Sequence, residues 1–196
     1  MKTIYTEDFQ KEVFQIIKKY SNKKCNLMIS GGSLLDILDF EYYQKLHSGG
    51  WDIFYADERV DPKGSNYIGS LPFIRLLQSK VVRINTDLDI KQCVKDYSKE
   101  LPDIDVCLLG IGPDGHICSL FPNTPSLDSE EKVISVSNPS IPFPERVTIT
   151  LKFINEHVKD LYFVVPPKEG KDVEDPHPSI LERLTKEYTK ILPRKQ

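Results

Sequence analysis

Residues 104–116 read IDVCLLGIGPDGH, a short apolar run followed directly by a glycine-rich polar turn. A continuous apolar run of this length is typical of a strand buried on both faces of a parallel sheet, so we predict a strand over Ile104–Leu109. The following turn, Gly112–His116, then lies at the carboxyl end of that strand. Ligands of open α/β sheets bind at this edge, so the pattern places His116 at a binding edge and not on an arbitrary surface.

Apolar runs and helically spaced apolar residues alternate along the rest of the chain. Further strands are predicted over residues 25–29, 51–56, 81–84, 133–136 and 161–165. Helices are predicted over residues 9–20, 34–46, 71–77 and 90–101, with a last helix over 180–191. This alternation predicts an α/β fold, a single Rossmann-like domain over residues 1–196 with a mostly parallel sheet and helices on both faces.

The overall composition is that of an ordinary globular domain, with 39% hydrophobic and 28% charged residues among 196. A net charge of −3 argues against nucleic acid or an anionic membrane as the main partner, and no pattern indicates an obligate protein partner. The four cysteines are scattered and the four histidines lack metal-ligand spacing, so we predict no metal site. No apolar run approaches the roughly 18 residues of a membrane span, and the first residues lack a signal-peptide pattern. We therefore expect a cytoplasmic protein.

Three polar loops follow predicted strands, at Ser30–Ser33, Asp57–Arg59 and Gly112–His116. The carboxyl ends of parallel strands lie at one edge of the sheet, so we expect the three loops to converge on one site there.

The first loop is a candidate anion-binding loop. Gly31 and Gly32 allow backbone N–H groups to approach an oxyanion, and a helix that starts near Ser33 adds a partial positive charge. The alternative is a tight turn between strand and helix in which Ser33 is the N-cap.

The second loop carries two acids and a base. Strand alternation sends the side chains of Asp57 and Arg59 to the same side. Arg59 can bind a phosphate through two hydrogen bonds, while Asp57 orients Arg59 or contacts a substrate hydroxyl. The alternative is an ion pair on the surface.

The third loop carries the candidate base. If Asp114 caps a following helix, His116 lies in the first helical turn, where the dipole disfavours the imidazolium form. A neutral imidazole can take a proton from water, although a lone histidine is often structural. Three later basic residues are candidates for completing a phosphate site or are solvated charges: Arg146, Lys168 and Lys171.

Several short blocks occur in the same order and context as in the 6-phosphogluconolactonase family. They are SGGS at 30–33, DER at 57–59 with SNY at 65–67, LLGIGPDGH at 108–116 with SLFP at 119–122, and RVTITL at 146–151. The chain resembles this family over roughly residues 26–165. The resemblance implies a deaminase/isomerase-like Rossmann sandwich. It also implies a hydrolase of the pentose phosphate pathway that opens 6-phospho-D-glucono-1,5-lactone to 6-phosphogluconate without metal or cofactor.

The resemblance further implies roles for single residues. His116 is the general base for the attack of water on C1, and Asp114 helps to organise the site. The phosphate is held by Gly31, Gly32, Ser33 and Arg59, and the same cleft is lined by the basic residues Arg146 and Lys171.

The chain departs from the family pattern at two places. Leu34-Leu35 stands where the family usually has Thr-Pro. The usual Trp-Phe-Leu-Asp type of ending is missing, so we expect a domain that is shortened at its C-terminus and lacks the last strand.

Two alternative functions remain. The related glucosamine-6-phosphate deaminase/isomerase family has an acid five residues after the histidine, where this chain has Phe121, and tends to have Tyr in place of Arg59. A non-catalytic sugar-phosphate sensor needs only the glycine loop and Arg59, with His116 as one more hydrogen-bonding group.

Overall fold

The computed structural model describes residues 1–167 and 175–194. Its strands are β1 (Lys2–Thr6), β2 (Cys25–Ile29), β3 (Trp51–Tyr55), β4 (Asp57–Arg59), β5 (Lys80–Val81), β6 (Ile104–Leu109), β7 (Val133–Ser137), β8 (Glu145–Ile149), β9 (Val158–Val164) and β10 (Thr189–Pro193). Its α-helices are α1 (Phe9–Lys18), α2 (Ser33–Leu38), α3 (Asn66–Gly69), α4 (Leu71–Ile74), α5 (Ile90–Glu100) and α6 (Leu151–His157). Short 3₁₀ helices cover Glu41–Lys45, Pro62–Gly64, Pro125–Asp128 and Ser179–Arg183.

Seven strands form one parallel sheet in the order β1-β10-β9-β6-β2-β3-β5. From β2 the chain moves outward through β3 and β5, and from β6 it moves in the opposite direction through β9 and β10. The reversal falls between the neighbouring strands β2 and β6, whose ends are Ile29 and Leu109. A reversal leaves a crevice at the carboxyl ends of the two strands, because their connections leave to opposite sides. The predicted mostly parallel α/β sheet is confirmed.

Both faces of the central strands are covered. Leu27, Met28 and Ile29 are successive residues of β2 and all three are fully buried, although neighbours in a strand point to opposite faces. Among the covering elements, α5 buries Cys93 and Tyr97, and its apolar stripe was visible in the sequence. The apolar runs of the sequence are therefore explained by a sheet that is shielded on both sides.

A second, antiparallel sheet is attached at the crevice end of the first, in the order β4-β8-β7. Ala56 joins the two sheets, because its N–H donates to Ile29 O at 2.8 Å and its carbonyl accepts from Ile149 N at 2.8 Å. The strand predicted over 133–136 is confirmed as β7, but it belongs to this small sheet and not to the parallel one. The predicted loop Asp57–Arg59 is itself the strand β4.

The helix predicted over residues 34–46 is wrong in its second half. The α-helix ends at Leu38, and a 3₁₀ helix follows over Glu41–Lys45. Between them Phe40 has an extended backbone, with φ −136° and ψ 110°. Its ring packs edge-on against Phe14, with the ring centroids 5.6 Å apart. Aromatic packing therefore fixes a bend where the spacing of apolar residues predicted one continuous helix.

Two other elements are shorter than predicted. The helix predicted over residues 71–77 ends at Ile74, and the strand predicted over 81–84 consists only of Lys80–Val81 in β5. Within the described part of the chain, β5 is an edge strand of the sheet and pairs only with β3.

The last helix predicted over residues 180–191 is wrong. Ser179–Arg183 forms a 3₁₀ helix, and Thr189–Pro193 is the strand β10. β10 lies between β9 and β1 and pairs with both, so it gains backbone hydrogen bonds on two edges. The expectation that the chain lacks a last strand is wrong for the same reason, because residues 189–193 supply one inside the sheet.

The structure gives two findings that bear on cellular context. All four cysteines are buried and unpaired: Cys25, Cys93, Cys107 and Cys118. Over residues 1–167 and 175–194, no helix has the length and apolar composition needed to cross a membrane.

The buried carboxylate of Glu58 fixes the small sheet to α3. Its oxygens accept hydrogen bonds from the backbone N–H groups of Asn66 at 2.6 Å, Tyr67 at 2.9 Å and Arg59 at 2.9 Å. The hydroxyl of Ser65 donates a fourth hydrogen bond at 3.1 Å. The acid of β4 therefore satisfies the first N–H groups of α3, which have no acceptor within their own helix.

Replacing Glu58 by Gln should lower the free energy of unfolding by about 1–3 kcal/mol, because an amide NH₂ would face two of these donors. The measurement is urea unfolding of the wild type and the variant. Exposed Glu182 provides the matched control, Glu182→Gln. Equal effects of the two substitutions would contradict the role given to Glu58.

Candidate active site

The loops after β2 and β6 are tied together at the crevice. Ser30 is buried at the end of β2, and its hydroxyl oxygen accepts a hydrogen bond from Gly110 N at 3.3 Å. The N–H of Ser30 donates to Leu108 O at 3.2 Å. The glycine loop and the turn that carries His116 therefore start from neighbouring points.

The glycine loop packs closely on α3. A Cβ atom on Gly31 would lie 1.9 Å from Asn66 Oδ1, so a larger residue does not fit at this position. The N-cap of α2 is Gly32, and Ser33 is the first helical residue. The alternative role of Ser33 as N-cap is therefore wrong. Both Gly32 and Ser33 are exposed.

Asp57 connects three segments of the site. Its side chain is 2% exposed and accepts hydrogen bonds from Ser119 Oγ at 2.6 Å and from Asn66 Nδ2 at 3.1 Å. The same amide group of Asn66 donates to the Asp57 carbonyl at 3.0 Å. The surface ion pair considered for Asp57 is therefore wrong, and its bonded, buried oxygens are not presented to a substrate hydroxyl.

Two arginines lie side by side next to this aspartate. Arg59 on β4 is paired in register with Arg146 on β8. Arg146 is buried and donates to Ser119 Oγ at 3.4 Å, and also to backbone carbonyls of the preceding loop. Arg59 donates to Gly64 O at 2.8 Å, while its buried Nε has no hydrogen-bond partner among the described residues.

The positive charges of these two arginines repel each other. Burial lowers the pKa of Arg146, and the neighbouring Arg59 lowers it further, whereas Asp57 raises it. Cations placed side by side attract an anion, since a bound anion relieves their repulsion. The pair is thus suited to a phosphate, as predicted for Arg59, although their side chains also hold the surrounding loops.

His116 ends a tight turn and does not start a helix. The turn is closed by a hydrogen bond from Gly112 N to His116 O at 2.8 Å, and a single β-bridge over Ile117–Leu120 follows it. Cys118 has a left-handed backbone with φ 43°, which is incompatible with continuing an α-helix. The predicted helix capped by Asp114 is therefore wrong.

A hydrogen bond with Asp114 orients the imidazole of His116. His116 Nδ1 makes a hydrogen bond with Asp114 Oδ1, which also accepts from His116 N at 3.3 Å. Burial raises the pKa of Asp114, but the hydrogen bonds from His116 outweigh burial and leave it lowered. An ionised carboxylate only accepts, so we assign the ring proton to Nδ1 and leave the lone pair on Nε2.

The imidazole remains accessible at the crevice. The His116 side chain is 28% exposed and that of Asp114 50%. Phe121 packs on the ring, with 5.1 Å between centroids. The guanidinium carbon of Arg146 lies 5.9 Å from the centroid of the same Phe121 ring. Phe121 thus connects the histidine with the arginine pair.

The remaining basic residues divide into two groups. Lys168 and Lys171 lie outside the described residues. Sequence reasoning found no partner for the other histidines, and exposed His47 agrees with that reading. It missed the hydrogen bond between His157 Nδ1 and Asp103 Oδ1 at 2.8 Å and the contacts of His177 with Lys190 and Asp175.

Sequence reasoning also gave no role to Asn66 and Ser119. Both belong to blocks that carried the family resemblance, SNY and SLFP, and that context was the available signal. Their importance depends on hydrogen bonds to Asp57, which lies 9 residues from Asn66 and 62 residues from Ser119. Within the described ranges, no group of three or more His, Cys, Asp or Glu side chains is placed to hold a metal ion.

Known proteins match this chain in sequence and in fold. Human 6-phosphogluconolactonase is 34% identical over 152 residues, which are 66% of this chain and 59% of the human protein. The probable 6-phosphogluconolactonase of Drosophila melanogaster is 36% identical over 159 residues, 72% of this chain and 64% of the fly protein. The chain thus spans less than two thirds of the length of these two relatives.

The fold matches as well. The crystal structure of 6-phosphogluconolactonase from Thermotoga maritima superposes with a TM-score of 0.77 at 20% identity, with 98% of each chain covered. The family described as "Glucosamine-6-phosphate isomerases/6-phosphogluconolactonase" matches residues 3–175. With a match over most of its length, this chain belongs to the glucosamine-6-phosphate isomerase/6-phosphogluconolactonase family.

Proposed function

We propose that this chain hydrolyses 6-phospho-D-glucono-1,5-lactone to 6-phospho-D-gluconate, a step of the pentose phosphate pathway. The observation that carries the proposal is the pairing of His116 with Asp114 at the crevice between β2 and β6, where Phe121 connects the imidazole with the arginine pair. The human and Drosophila relatives, which are named for this activity, support the same substrate.

In the proposed reaction His116 acts as the general base. Nε2 takes a proton from water while the water oxygen forms a bond to C1 of the lactone. The bond between C1 and the ring oxygen then breaks, and that oxygen receives the proton from the imidazolium. The products are the open-chain acid and a hydroxyl on C5, and the histidine returns to its starting state. These steps use protein side chains and water, and involve no metal or cofactor.

Asp114 is proposed to support the base in two ways. Its carboxylate fixes Nδ1 as the donor, so Nε2 presents its lone pair to water at the start of each cycle. It also stabilises the imidazolium that forms when water is deprotonated.

The phosphate is proposed to bind opposite the base, at the arginine pair and the glycine loop. Arg59 and Arg146 supply positive charge, and the loop of Gly31, Gly32 and Ser33 supplies backbone N–H groups. Asp57 positions this region through Ser119 and Asn66. A contribution from Lys171 remains a prediction from the family resemblance.

Two further points complete the proposal. Buried, unpaired cysteines suit a reducing compartment, so we place the enzyme in the cytoplasm.

An aminosugar deaminase is disfavoured, because Phe121 packs its ring on His116 at the position where that reaction requires an acid.

His116→Ala should lower kcat for the freshly prepared lactone by roughly 10²–10⁴-fold, because the base is lost. The assay follows acid release and subtracts the spontaneous opening of the lactone. His47→Ala removes an exposed histidine and should leave the rate unchanged. A wild-type rate equal to the spontaneous one, with the lactone bound, would favour the sensor function instead.

Asp114→Asn should lower kcat by roughly 10²-fold or more, since an amide can hold the imidazole in the wrong tautomer. In the wild type, the lowered pKa of Asp114 keeps its carboxylate ionised, as this role requires. The measurement is the initial rate of lactone hydrolysis by the wild type and the variant, corrected for the spontaneous opening of the lactone. A kcat equal to that of the wild type would contradict the role given to Asp114.

Arg59→Ala should raise KM for the lactone by roughly 10–100-fold while kcat changes little, because a charged hydrogen bond far from C1 is lost in ground and transition state alike. Inorganic phosphate should inhibit the variant correspondingly less. Arg75→Ala removes an exposed arginine and is the control. A fall in kcat at constant KM would assign Arg59 to the chemical step.

A further inference from the structure

Lys190 is a fully buried lysine in the parallel sheet. It is the second residue of β10 and pairs in register with Phe163 of β9, which in turn pairs with Leu109 at the end of β6. The side chain of Lys190 is 0% exposed. The backbone of Lys190 therefore lies at the level of the sheet where the turn that carries His116 begins. A buried charge at this place requires partners.

Among the described residues, the partners of the ammonium group come from one short segment, Asp175–His177, which continues into Pro178. Lys190 Nζ donates to Asp175 Oδ1 at 2.6 Å and to Pro176 O at 3.1 Å, and it lies 3.3 Å from His177 Nδ1. His177 Nε2 contacts the other carboxylate oxygen of Asp175 at 3.2 Å. The segment is therefore fixed to the sheet by one charge.

The same segment covers the candidate catalytic turn. Gly115 has φ 87°, and a Cβ atom on it would lie 2.8 Å from Pro178 Cβ. Only glycine combines this backbone conformation with such a close approach. Pro178 thus packs directly against Gly115, the residue between Asp114 and His116. The 3₁₀ helix that follows is anchored by buried Ile180.

From these contacts we infer that Lys190 is a positioning residue for the catalytic turn. It holds Asp175–Pro178 against Gly115, and Pro178 keeps Gly115 in the conformation that brings Asp114 to His116. This inference rests on the proposed function for its effect on rate, but the geometry of the turn can be measured without turnover. Lys190 acts through Asp175 and Pro178 and does not contact the substrate.

Lys190→Met keeps the length of the side chain and removes its charge. We expect kcat to fall roughly tenfold, as for a small misplacement of a catalytic group, with KM within twofold of wild type. Asp175→Asn, at a partly exposed position, should have the same effect. Both substitutions break the same contact, between Lys190 and Asp175. The double variant should therefore be no slower than either single variant.

Loss of stability alone has to be separated from loss of positioning. Ile191→Val shortens the next, fully buried residue of β10 without touching Asp175, so it lowers the melting temperature without affecting the turn. Its kcat should equal that of the wild type. The inference is overturned if Lys190→Met and Asp175→Asn keep wild-type kcat, or if Ile191→Val loses as much.

An NMR measurement tests the inference independently of activity. Long-range ¹H–¹⁵N spectra of the imidazole rings, assigned with His116→Gln, should show the Nδ1-protonated ring of His116 in the wild type. Asp175→Asn should shift this ring towards a mixture of tautomers. An unchanged His116 signal would overturn the inference even if the wild type hydrolysed no lactone, whereas a wild type without turnover but with the expected shift would reject only the proposed function.

Discussion

Burying the carboxylate of Asp57 requires the surrounding loops to supply hydrogen-bond donors. An ionised group in the interior is stable only when its oxygens are paired, and Asp57 obtains its donors from Ser119 and Asn66. One donor lies just after the turn that carries His116 and the other starts α3, which packs on Gly31. Arg146 reaches the same network through the Ser119 hydroxyl. The turn that carries His116, the glycine loop and the arginine pair are thus arranged around one buried charge.

The sequence was sufficient to predict the centre of the sheet. Cys25–Ile29, Trp51–Tyr55 and Ile104–Leu109 are strands covered on both faces, so nearly every side chain is apolar and the pattern is unambiguous. The polar residues that follow these strands could be predicted to form a site, because the carboxyl ends of parallel strands lie at one edge of the sheet, where ligands bind. His116 and Arg59 were proposed as site residues in this way.

Elements defined by distant partners could not be predicted. Ile180, Leu184 and Ile191 follow a helical spacing, yet Ile191 belongs to a strand because β1 and β9 provide hydrogen bonds on both sides. Similarly, the turn at His116 was predicted to start a helix, and the left-handed Cys118 that prevents this has no signature in the sequence. In each case a tertiary contact outweighed local preference, as is usual for short elements.

The position of β10 between β1 and β9 also has a consequence for biosynthesis. Among the described strands, β1, at Lys2–Thr6, pairs only with β10, at Thr189–Pro193, so β1 lacks this partner until the residues between the two strands have been translated. Translation proceeds at about 5–20 residues per second, so the unpaired strand waits for roughly ten seconds or more. During that time its polar backbone edge is open to other chains, and nascent copies on one messenger RNA are the nearest.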